Sequence, residues 1–412
     1  MNRKKLVVIG GGAAGFFCAV NAAEMNPELE IVLLEKSGKL LSKVKVSGGG
    51  RCNVTHDCDS PSLLLDAYPR GRQTLKKAFR RFFTSDTVAW FDQKGVALKT
   101  EADGRMFPVT DNSQTIVDCL LSLAGKYGIA IQMFAEAVGF RRIDDHWIVS
   151  LRSGIELDAD YICIAAGGHP KSAAYDWIRA LGHRIVEPAP SLFTFNMADH
   201  PIIQLQGITV PRVKTGIRGT SFSAEGPLLI THWGMSGPAI LKLSAFAARE
   251  LALKNWNFTA GINWLPEYNE RSLKEKLQEL RFSLAAKMMD NNCPLGLPVR
   301  LWRHLLLEAG IPEHTRWSDM TAKAQNLLAR YCCNHEYAVK GKTTFKEEFV
   351  TAGGVSLDEV DSDTMESRLA PGIYFAGEVL DADGITGGYN FQQAWTTGYI
   401  AAKAIATACG KK

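Results

Sequence analysis

Three glycines near the start of the sequence have the spacing of a phosphate-binding turn. Gly10, Gly12 and Gly15 follow the apolar segment KLVVI and precede a run of small apolar residues. In such a turn the first glycine allows a sharp change of direction, the second lets the backbone approach a pyrophosphate, and the third lets helix and strand pack closely. The helix amides and dipole then face the phosphate charge. The spacing therefore predicts a nucleotide site, which also includes Ala13 and Ala14.

An acidic residue after the next apolar segment narrows this prediction to a dinucleotide. Strand 5–9, helix 13–25 and strand 30–35 are predicted to form a βαβ unit. Glu35 ends the second strand, where a carboxylate accepts hydrogen bonds from both hydroxyls of an adenosine ribose. A glutamate at this point, rather than a basic residue, disfavours a 2′-phosphate. We therefore expect FAD or NAD, not NADP, with Lys36 as a neighbouring contact.

Composition indicates a globular protein of two or three domains. The chain has 412 residues, of which 46% are hydrophobic and 22% charged, and its net charge of +4 is too small to indicate a nucleic-acid partner. Its nine cysteines form no CxxC pair, which is typical of reduced thiols in a cytosolic protein. The N-terminus imitates a signal peptide, but its central glycines favour a strand-to-helix turn. We expect no membrane span and leave the oligomeric state open.

The pattern of apolar residues and glycines changes twice along the chain. Up to about residue 190 we expect a helical stretch at about 72–94, alternating segments near 129–153 and a buried strand over 160–166. Period-2 segments and amphipathic helices then follow, before the glycine-rich pattern resumes. The simplest interpretation is one α/β nucleotide-binding domain split by an insertion. The expected parts are the nucleotide-binding domain (1–190 and 345–412), an inserted β region (191–270 and 331–344) and an inserted helical region (271–330).

Two more glycine-rich strand ends favour FAD over NAD. A carboxylate after strand 373–376 can hold ribityl or ribose hydroxyls, and the helix start at 388–391 can direct amides at the N1 and O2 edge of a flavin. The buried strand CIAAGG, residues 163–168, ends in small residues that can pass close under a cofactor. Each feature alone is also typical of an ordinary βα connection, but together they favour FAD. The residues assigned to the cofactor here are Ala166, Gly167, Gly377, Glu378, Gly388, Tyr389, Asn390 and Phe391.

The sequence resembles the BaiN/YhiN-like family of bacterial flavoproteins, which are described as NAD(P)/FAD-dependent oxidoreductases. The resemblance rests on the motifs GGGAAG, SGGGRCNVT, THWGMSGPA, TAGGVSL and TMESRLAPGIYFAGEVLDADGITGGYNFQQAW, and it extends over nearly the whole chain. It implies a Rossmann-like FAD-binding domain of the two-dinucleotide-binding type. It also implies that a β-barrel-like domain and a small helical domain are inserted into that domain.

A second glycine cluster, residues 46–55, is explained by this resemblance. Its three consecutive glycines would let the backbone lie against the flat isoalloxazine, where side chains would clash. Arg51 could balance phosphate or reduced-flavin charge, and Asn53 could donate to a ring carbonyl. In many relatives an asparagine follows this motif where His56 stands here, so His56 receives no role. The further residues assigned to FAD are Lys43, Gly49, Gly50, Arg51, Cys52, Asn53 and Val138.

Two residues that could do chemistry of their own are better interpreted as structural. Cys52 could form a flavin adduct, but it has no CxxC partner and small buried thiols are common packing residues. His232 could transfer a proton. The favoured interpretation is that Ser236 caps a helix, Pro238 occupies its first turn, and His232 is hydrogen-bonded. No HExxH, HxH or paired CxxC predicts a metal site.

The predicted function is that of an FAD-dependent oxidoreductase. Flavin N5 would exchange a hydride with a small organic substrate in a pocket roofed by the insertion. The sequence has no second GxGxxG motif, so an NAD(P)H donor would enter transiently beside the flavin. Residues 70–83 carry six basic residues among aromatics, a pattern typical of a solvated helix with buried phenylalanines. An RNA-modifying flavoprotein stays an alternative, as does a non-enzymatic flavin-binding scaffold, and no catalytic acid or base is assigned.

Overall fold

The computed structural model describes residues 3–343 and 350–410. The chain forms two compact units, one made of Met1–Ser191 with Phe345–Lys412 and the other of Leu192–Thr344. Each unit has a hydrophobic core of its own. The expected boundary between 344 and 345 falls outside the described residues, and the expected division of the insertion into β and helical domains stays a prediction.

The strands and helices are numbered in chain order. The strands are β1 Lys5–Ile9, β2 Glu30–Glu35, β3 Thr55–His56, β4 Leu98–Thr100, β5 Arg105–Pro108, β6 Ala130–Met133, β7 Ala137–Ile143, β8 His146–Leu151, β9 Glu156–Ala159, β10 Tyr161–Ile164, β11 Ile185–Ser191, β12 Thr194–Asn196, β13 Thr209–Ile217, β14 Ser223–Thr231, β15 Gly234–Ser236, β16 Asn257–Asn263, β17 His335–Lys340, β18 Lys342–Thr343, β19 Val350–Val355 and β20 Ile373–Phe375. The helices are α1 Ala13–Met25, α2 Ser42–Gly50, α3 Pro61–Leu65, α4 Arg72–Ala78, α5 Thr84–Gln93, α6 Gln114–Lys126, α7 Asp176–Arg179, α8 Pro238–Leu253, α9 Glu270–Ser283, α10 Val299–Glu308, α11 Ala322–Asn334 and α12 Tyr389–Cys409.

The first unit is built on a parallel five-stranded sheet in the order β20-β10-β1-β2-β6. Its central strands are continuous apolar runs because both faces of a parallel sheet are covered. Val7 of β1 lies opposite Val32 on one side and Ile162 on the other. The predicted βαβ unit of strand 5–9, helix 13–25 and strand 30–35 is confirmed. The strand expected over 160–166 is shorter and ends at Ile164.

The helical stretch expected at about 72–94 is confirmed, and the chain divides it into two helices, α4 and α5. The Phe83 amide donates to the carboxylate of Asp86 at 2.6 Å. This contact satisfies one of the backbone donors that a helix start leaves free, and it stabilises the beginning of a second helix at Thr84. The aromatic residues of the stretch still turn inward, and Phe79 and Phe82 are buried.

The C-terminal helix α12 packs closely on α1. A Cβ at Gly398 would lie 2.8 Å from the backbone oxygen of Ala14, so only glycine allows this approach. The Phe17 ring fills the core beside it, with its centroid 4.5 Å from that of Trp90 and 5.1 Å from that of Trp395. The first and last helices of the unit are therefore one packed layer on the parallel sheet.

The second unit is built on an antiparallel seven-stranded sheet in the order β17-β16-β13-β14-β15-β12-β18. The period-2 segments expected in this part of the chain form β12, β13 and β16. The predicted cap at Ser236 is wrong, because Ser236 ends β15 and Gly237, at φ +98°, precedes α8. Pro238 does occupy the first turn of α8. The barrel-like form of this region stays a prediction.

Among the described residues, none of the helices combines the length and apolarity that a bilayer crossing requires. The cytoplasmic location stays a prediction.

A group of three histidines, of which His335 is buried and His200 and His304 are partly buried, lies in the second unit. The Tyr337 hydroxyl and His335 Nδ1 are 2.9 Å apart, and Glu308 Oε2 lies 3.4 Å from His335 Nε2 and 3.5 Å from His304 Nε2. Burial lowers the pKa of His335 to about 3, and nearby His200 and His304 act in the same direction. Burial also lowers the pKa of His200 and His304, whereas it raises the pKa of Glu308.

These shifts predict that stability falls on acidification. The folded chain keeps His335 neutral, whereas the unfolded chain protonates it near pH 6.5, so its contribution is present above that pH and is lost as pH falls. Glu308 opposes this trend, but the three histidines outnumber it. We expect the urea midpoint of unfolding to decrease when the pH is lowered from 7.5 to 5. His335 contributes a decrease in the free energy of unfolding of up to about 1.4 kcal/mol per pH unit.

His335→Gln is expected to reduce this pH dependence, whatever it does to stability at pH 7.5. His314→Gln is the control, because the His314 side chain is 79% exposed. Equal slopes for the wild type and His335→Gln would show that the buried histidine does not set the pH response.

Candidate functional site

The turn between β1 and α1 contains two structural glycines and one that faces open space. A Cβ at Gly10 would lie 2.3 Å from the Ala165 oxygen, and a Cβ at Gly15 would lie 1.9 Å from the Gly10 oxygen. At Gly12 a Cβ would have no atom of the described residues within 4 Å. None of the described side chains caps α1 at Gly12, and the first amides of a helix have no intrahelical acceptor. The turn therefore offers an uncovered set of amides with room beside it, which fits a pyrophosphate.

Glu35 stands at the end of β2, beside this turn. Its carboxylate accepts the Gly11 amide at 2.9 Å and the Ser37 amide at 2.8 Å. These two bonds fix the orientation of the carboxylate and leave lone pairs for a ligand hydroxyl. The neighbouring Lys36 is exposed.

The second glycine cluster interrupts α2. Ser47, Gly48 and Gly49 have non-helical backbone angles, and Gly49 and Gly50 have φ values of +69° and +84°. A Cβ at Gly48 would press on the Phe107 ring, at 2.9 Å, whereas Gly49 and Gly50 face open space. This segment presents bare backbone, as a surface against a flat ring system requires.

Arg51 is already paired within the protein. Its guanidinium bonds Glu101 at 2.6 Å, lies 3.6 Å from Asp111 and sits over the Phe107 ring at 4.0 Å. The hydrogen bond to Glu101 raises the pKa of Arg51. Its charge is thus balanced by two carboxylates, and its predicted role toward phosphate or flavin stays a prediction.

Cys52 and Asn53 are buried beside it. Burial raises the pKa of the Cys52 thiol to about 12, so this sulfur is protonated at neutral pH and is a poor nucleophile. In the amide orientation that satisfies its partners, Asn53 Oδ1 accepts the Gly388 amide at 3.0 Å and Nδ2 donates to the Thr55 oxygen at 3.0 Å. Asn53 therefore joins the second glycine cluster to the C-terminal loop, and its expected bond to a ring carbonyl stays a prediction.

The C-terminal glycine-rich segment meets the first turn directly. Gly377 has φ +76°, and a Cβ there would lie 2.7 Å from the Cβ of Ala14. Glu378 bonds Lys43 at 2.6 Å and accepts the Thr351 amide at 3.0 Å. Lys43 and Glu378, predicted separately from distant parts of the sequence, thus form one ion pair.

The start of α12 is closely packed. A Cβ at Gly388 would lie 2.5 Å from the Thr55 oxygen, and none of the side chains that the structure describes caps the helix there. The Tyr389 ring stacks on His56, with centroids 4.6 Å apart. The Asn390 side chain accepts the Gly384 amide at 2.8 Å and donates to the Gly384 oxygen at 2.9 Å.

The remaining predicted contacts lie at other edges of the unit. Phe391 stacks on Trp395 one turn along α12, with centroids 5.8 Å apart. Ala166 is exposed beyond the carboxyl end of β10, where Gly167 has φ +73° and open space around it. Val138 lies in β7 and is 38% exposed.

Two residues beside this loop were missed from the sequence. Arg70 forms a buried, bidentate ion pair with Asp383, and Ser191 donates to Asp383 at 2.8 Å. The prediction that residues 70–83 are solvated is wrong for Arg70, although Lys76 and Arg80 are exposed as expected. Nothing in the local sequence distinguishes a buried arginine or aspartate from solvated ones. The pair joins the segment before α4 to the loop before α12. Removing either partner would leave a buried unpaired charge and destabilise the protein.

His232 differs from its favoured interpretation. It lies in the turn between β14 and β15, is exposed and packs edge-on against Trp233, with centroids 4.2 Å apart. It makes no hydrogen bond to another residue in the described part of the chain, so the predicted hydrogen bond is not observed.

Comparison with known proteins identifies the family. Residues 4–404 match the model described as HI0933-like protein Rossmann domain. The chain belongs to this family. The ribosomal RNA dihydrouridine synthase of Escherichia coli (strain K12) is 30% identical, over 99% of this chain and 99% of the relative. The 3-dehydro-bile acid delta(4,6)-reductase of Clostridium scindens is 26% identical, over 98% of this chain and 99% of the relative.

The solved structures agree on the fold of this HI0933-like protein. The 3-ketosteroid delta1-dehydrogenase of Sterolibacterium denitrificans covers 99% of this chain and 100% of its own, with a TM-score of 0.50 and 14% identity. The match confirms a Rossmann-like, mixed α/β flavoprotein fold. The family and the named relatives confirm the resemblance seen in the sequence and the class of flavin-dependent oxidoreductase.

The two kinds of glycine predict opposite effects of one added methyl group. Gly12→Ala is expected to leave the urea midpoint of the apoprotein unchanged and to raise the dissociation constant of FAD by about tenfold or more, because only the ligand space is occupied. Gly15→Ala is expected to destabilise the fold by about 1–3 kcal/mol through overpacking. Fluorescence titration with FAD and urea unfolding measure the two quantities. Tight FAD binding by a folded Gly12→Ala protein would contradict the assignment of this turn to the pyrophosphate.

Proposed function

We propose that the protein is an FAD-dependent reductase of a small organic substrate with an electron-poor carbon–carbon double bond, and that NAD(P)H is its electron donor. The single observation that carries the proposal is that a glycine-rich segment from near the end of the chain packs against the uncovered turn between β1 and α1. Gly377 approaches Ala14 beside the open space at Gly12, and the bare segment at Gly49 and Gly50 belongs to the same unit. The family match supports FAD as the group that this surface holds.

Each part of the cofactor has a matching group in the chain. The amides at the start of α1 suit the pyrophosphate, and the Glu35 carboxylate suits the ribose hydroxyls. The backbone at Gly49 and Gly50 suits the face of the isoalloxazine, because it carries no side chain of its own. The amides of Tyr389 and Asn390, in the first turn of α12, suit the N1 and O2 edge of the ring. The Gly388 amide is excluded from this role because it donates its hydrogen bond to Asn53 Oδ1.

The protein contributes position and electrostatics in this proposal. Bound FAD would supply hydride transfer at N5. The protonated Cys52 thiol and the paired Arg51 add no reactive group beside it. Asn53 and the Arg70–Asp383 pair hold the loops that carry the cofactor contacts, so their role is to preorganise the site.

The choice of a double bond as the substrate group is supported by the names of two relatives. Dihydrouridine is uridine with one ring double bond reduced, and a delta(4,6)-reductase reduces carbon–carbon double bonds of a bile acid derivative. In uridine and in the bile acid derivative, the double bond that is reduced is conjugated to a carbonyl, and this conjugation makes it an acceptor for hydride.

Anaerobic mixing with nicotinamides tests the electron donor. We expect NADH or NADPH to bleach the oxidised flavin absorbance, and an α,β-unsaturated ketone added afterwards to restore it. Gly12→Ala protein, which is expected to lose FAD, is the control for bleaching by free flavin. Failure of both nicotinamides, with a flavin that dithionite still reduces, would remove NAD(P)H from the proposal.

A second candidate substrate is uridine in ribosomal RNA. The Escherichia coli relative is named for this activity. In the described residues, Lys76, Lys77 and Arg80 are exposed on and just after α4, and their side chains have no ion-pair partner. Lysine and arginine side chains neutralise the phosphate groups of nucleic acids, and the resulting affinity depends on the salt concentration. These exposed cations therefore support binding of a polyanion, although the small net charge of the whole chain gives no such indication.

Charge reversal separates the two substrates. The triple variant Lys76→Glu, Lys77→Glu and Arg80→Glu is expected to weaken binding of a ribosomal RNA fragment by about tenfold or more at low salt. The matched control reverses three other exposed cations, with Lys287→Glu, Lys323→Glu and Arg330→Glu. Filter binding at several salt concentrations measures the effect. Equal affinities for both triple variants would count against RNA as the substrate and leave the small molecule.

A further inference from the structure

We propose that Phe134 is the platform on which the adenine of FAD stacks. The inference deepens the proposed function, since it rests on FAD binding at the β1–α1 turn. Phe134 follows directly after β6, at the outer edge of the parallel sheet. The sequence alone gives no reason to assign it a contact.

The Phe134 ring is exposed although the backbone beneath it is held in place. The side chain is 77% exposed, and its φ of +55° lies in the left-handed region that bulky residues rarely adopt. Backbone bonds flank it, from the Phe134 amide to the Ser37 oxygen at 3.4 Å and from the Ala135 amide to the Glu35 oxygen at 2.9 Å. A strained conformation that persists without burying its side chain points to a functional constraint.

These bonds place Phe134 next to the expected ribose site. In the parallel pairing of β2 with β6, Glu35 lies opposite Met133, so Phe134 is one residue beyond the same edge. The ring lies against Gly38, where a Cβ would be 2.7 Å from its Cζ atom. A side chain at position 38 would therefore displace the ring. The loop after β2 thus carries both the carboxylate for the ribose and the glycine that makes room for Phe134.

The chemistry of the ligand matches this placement. Adenine is attached to the ribose whose hydroxyls would donate hydrogen bonds to Glu35. The base therefore lies within one sugar of that carboxylate. Adenine has two π-faces, and aromatic side chains stack on nucleobases without needing a particular hydrogen-bond pattern. The exposed ring at this edge supplies such a face.

Titration of the full-length apoprotein with FAD and with ADP tests the proposal. Phe134→Ala is expected to raise both dissociation constants by a similar factor of about ten, equivalent to about 1.4 kcal/mol, because both ligands carry adenine. Phe134→Asn is the second variant, since asparagine tolerates a positive φ and keeps the backbone intact. It is expected to weaken both ligands to the same extent. Flavin fluorescence quenching reports FAD, and competition against FAD reports ADP.

Phe282→Ala is the matched control, because Phe282 is 74% exposed on α9 in the other unit. It is expected to bind both ligands as the wild type does. Unchanged affinities in both Phe134 variants would overturn the proposal, as would a loss for FAD with no loss for ADP. A wild-type protein that binds no FAD would instead refute the proposed function, and that result is seen before any variant is compared.

Discussion

The parallel pairing of β20 with β10 is the constraint on which the site depends. It brings a segment from the end of the chain into the sheet that the first strand begins, with Tyr374 opposite Cys163. Gly377 and Gly398 then allow the C-terminal segment to approach α1 closely, because at either position a Cβ would clash with Ala14. Without this pairing, the two glycine-rich segments would have no common surface.

The glycines of this protein divide into two groups with different physical roles. At Gly10, Gly15 and Gly388 a side chain would collide with backbone, so these residues are required for packing. At Gly12, where the backbone is extended, a side chain would project into empty space. A glycine that the fold itself does not need is best explained by a ligand that needs the space. This distinction follows from the three-dimensional neighbours and is invisible in the motif.

The polar residues around the site mostly bond one another. Arg51 pairs with Glu101, Lys43 with Glu378, and Arg70 with Asp383. Each pair joins segments that are far apart in sequence, so the pairs fix the loops relative to the sheet and leave backbone amides for the cofactor. Such an arrangement suits an enzyme whose reactive group belongs to its cofactor and whose own contribution is preorganisation.

The sequence alone determined the βαβ unit, the glycine turn between β1 and α1 and the position of Glu35 at the end of β2, because these depend on local periodicity and short spacings. It also indicated the family, through long motifs. Tertiary structure decided what depends on distant neighbours. These features are the burial of Arg70 against Asp383, the hydrogen bond from the Gly388 amide to Asn53, and the break between α4 and α5. The exposed ring of Phe134 belongs to the same group. Its sequence neighbours predict an ordinary strand end, and only the pairing of β6 with β2 places it beside Glu35.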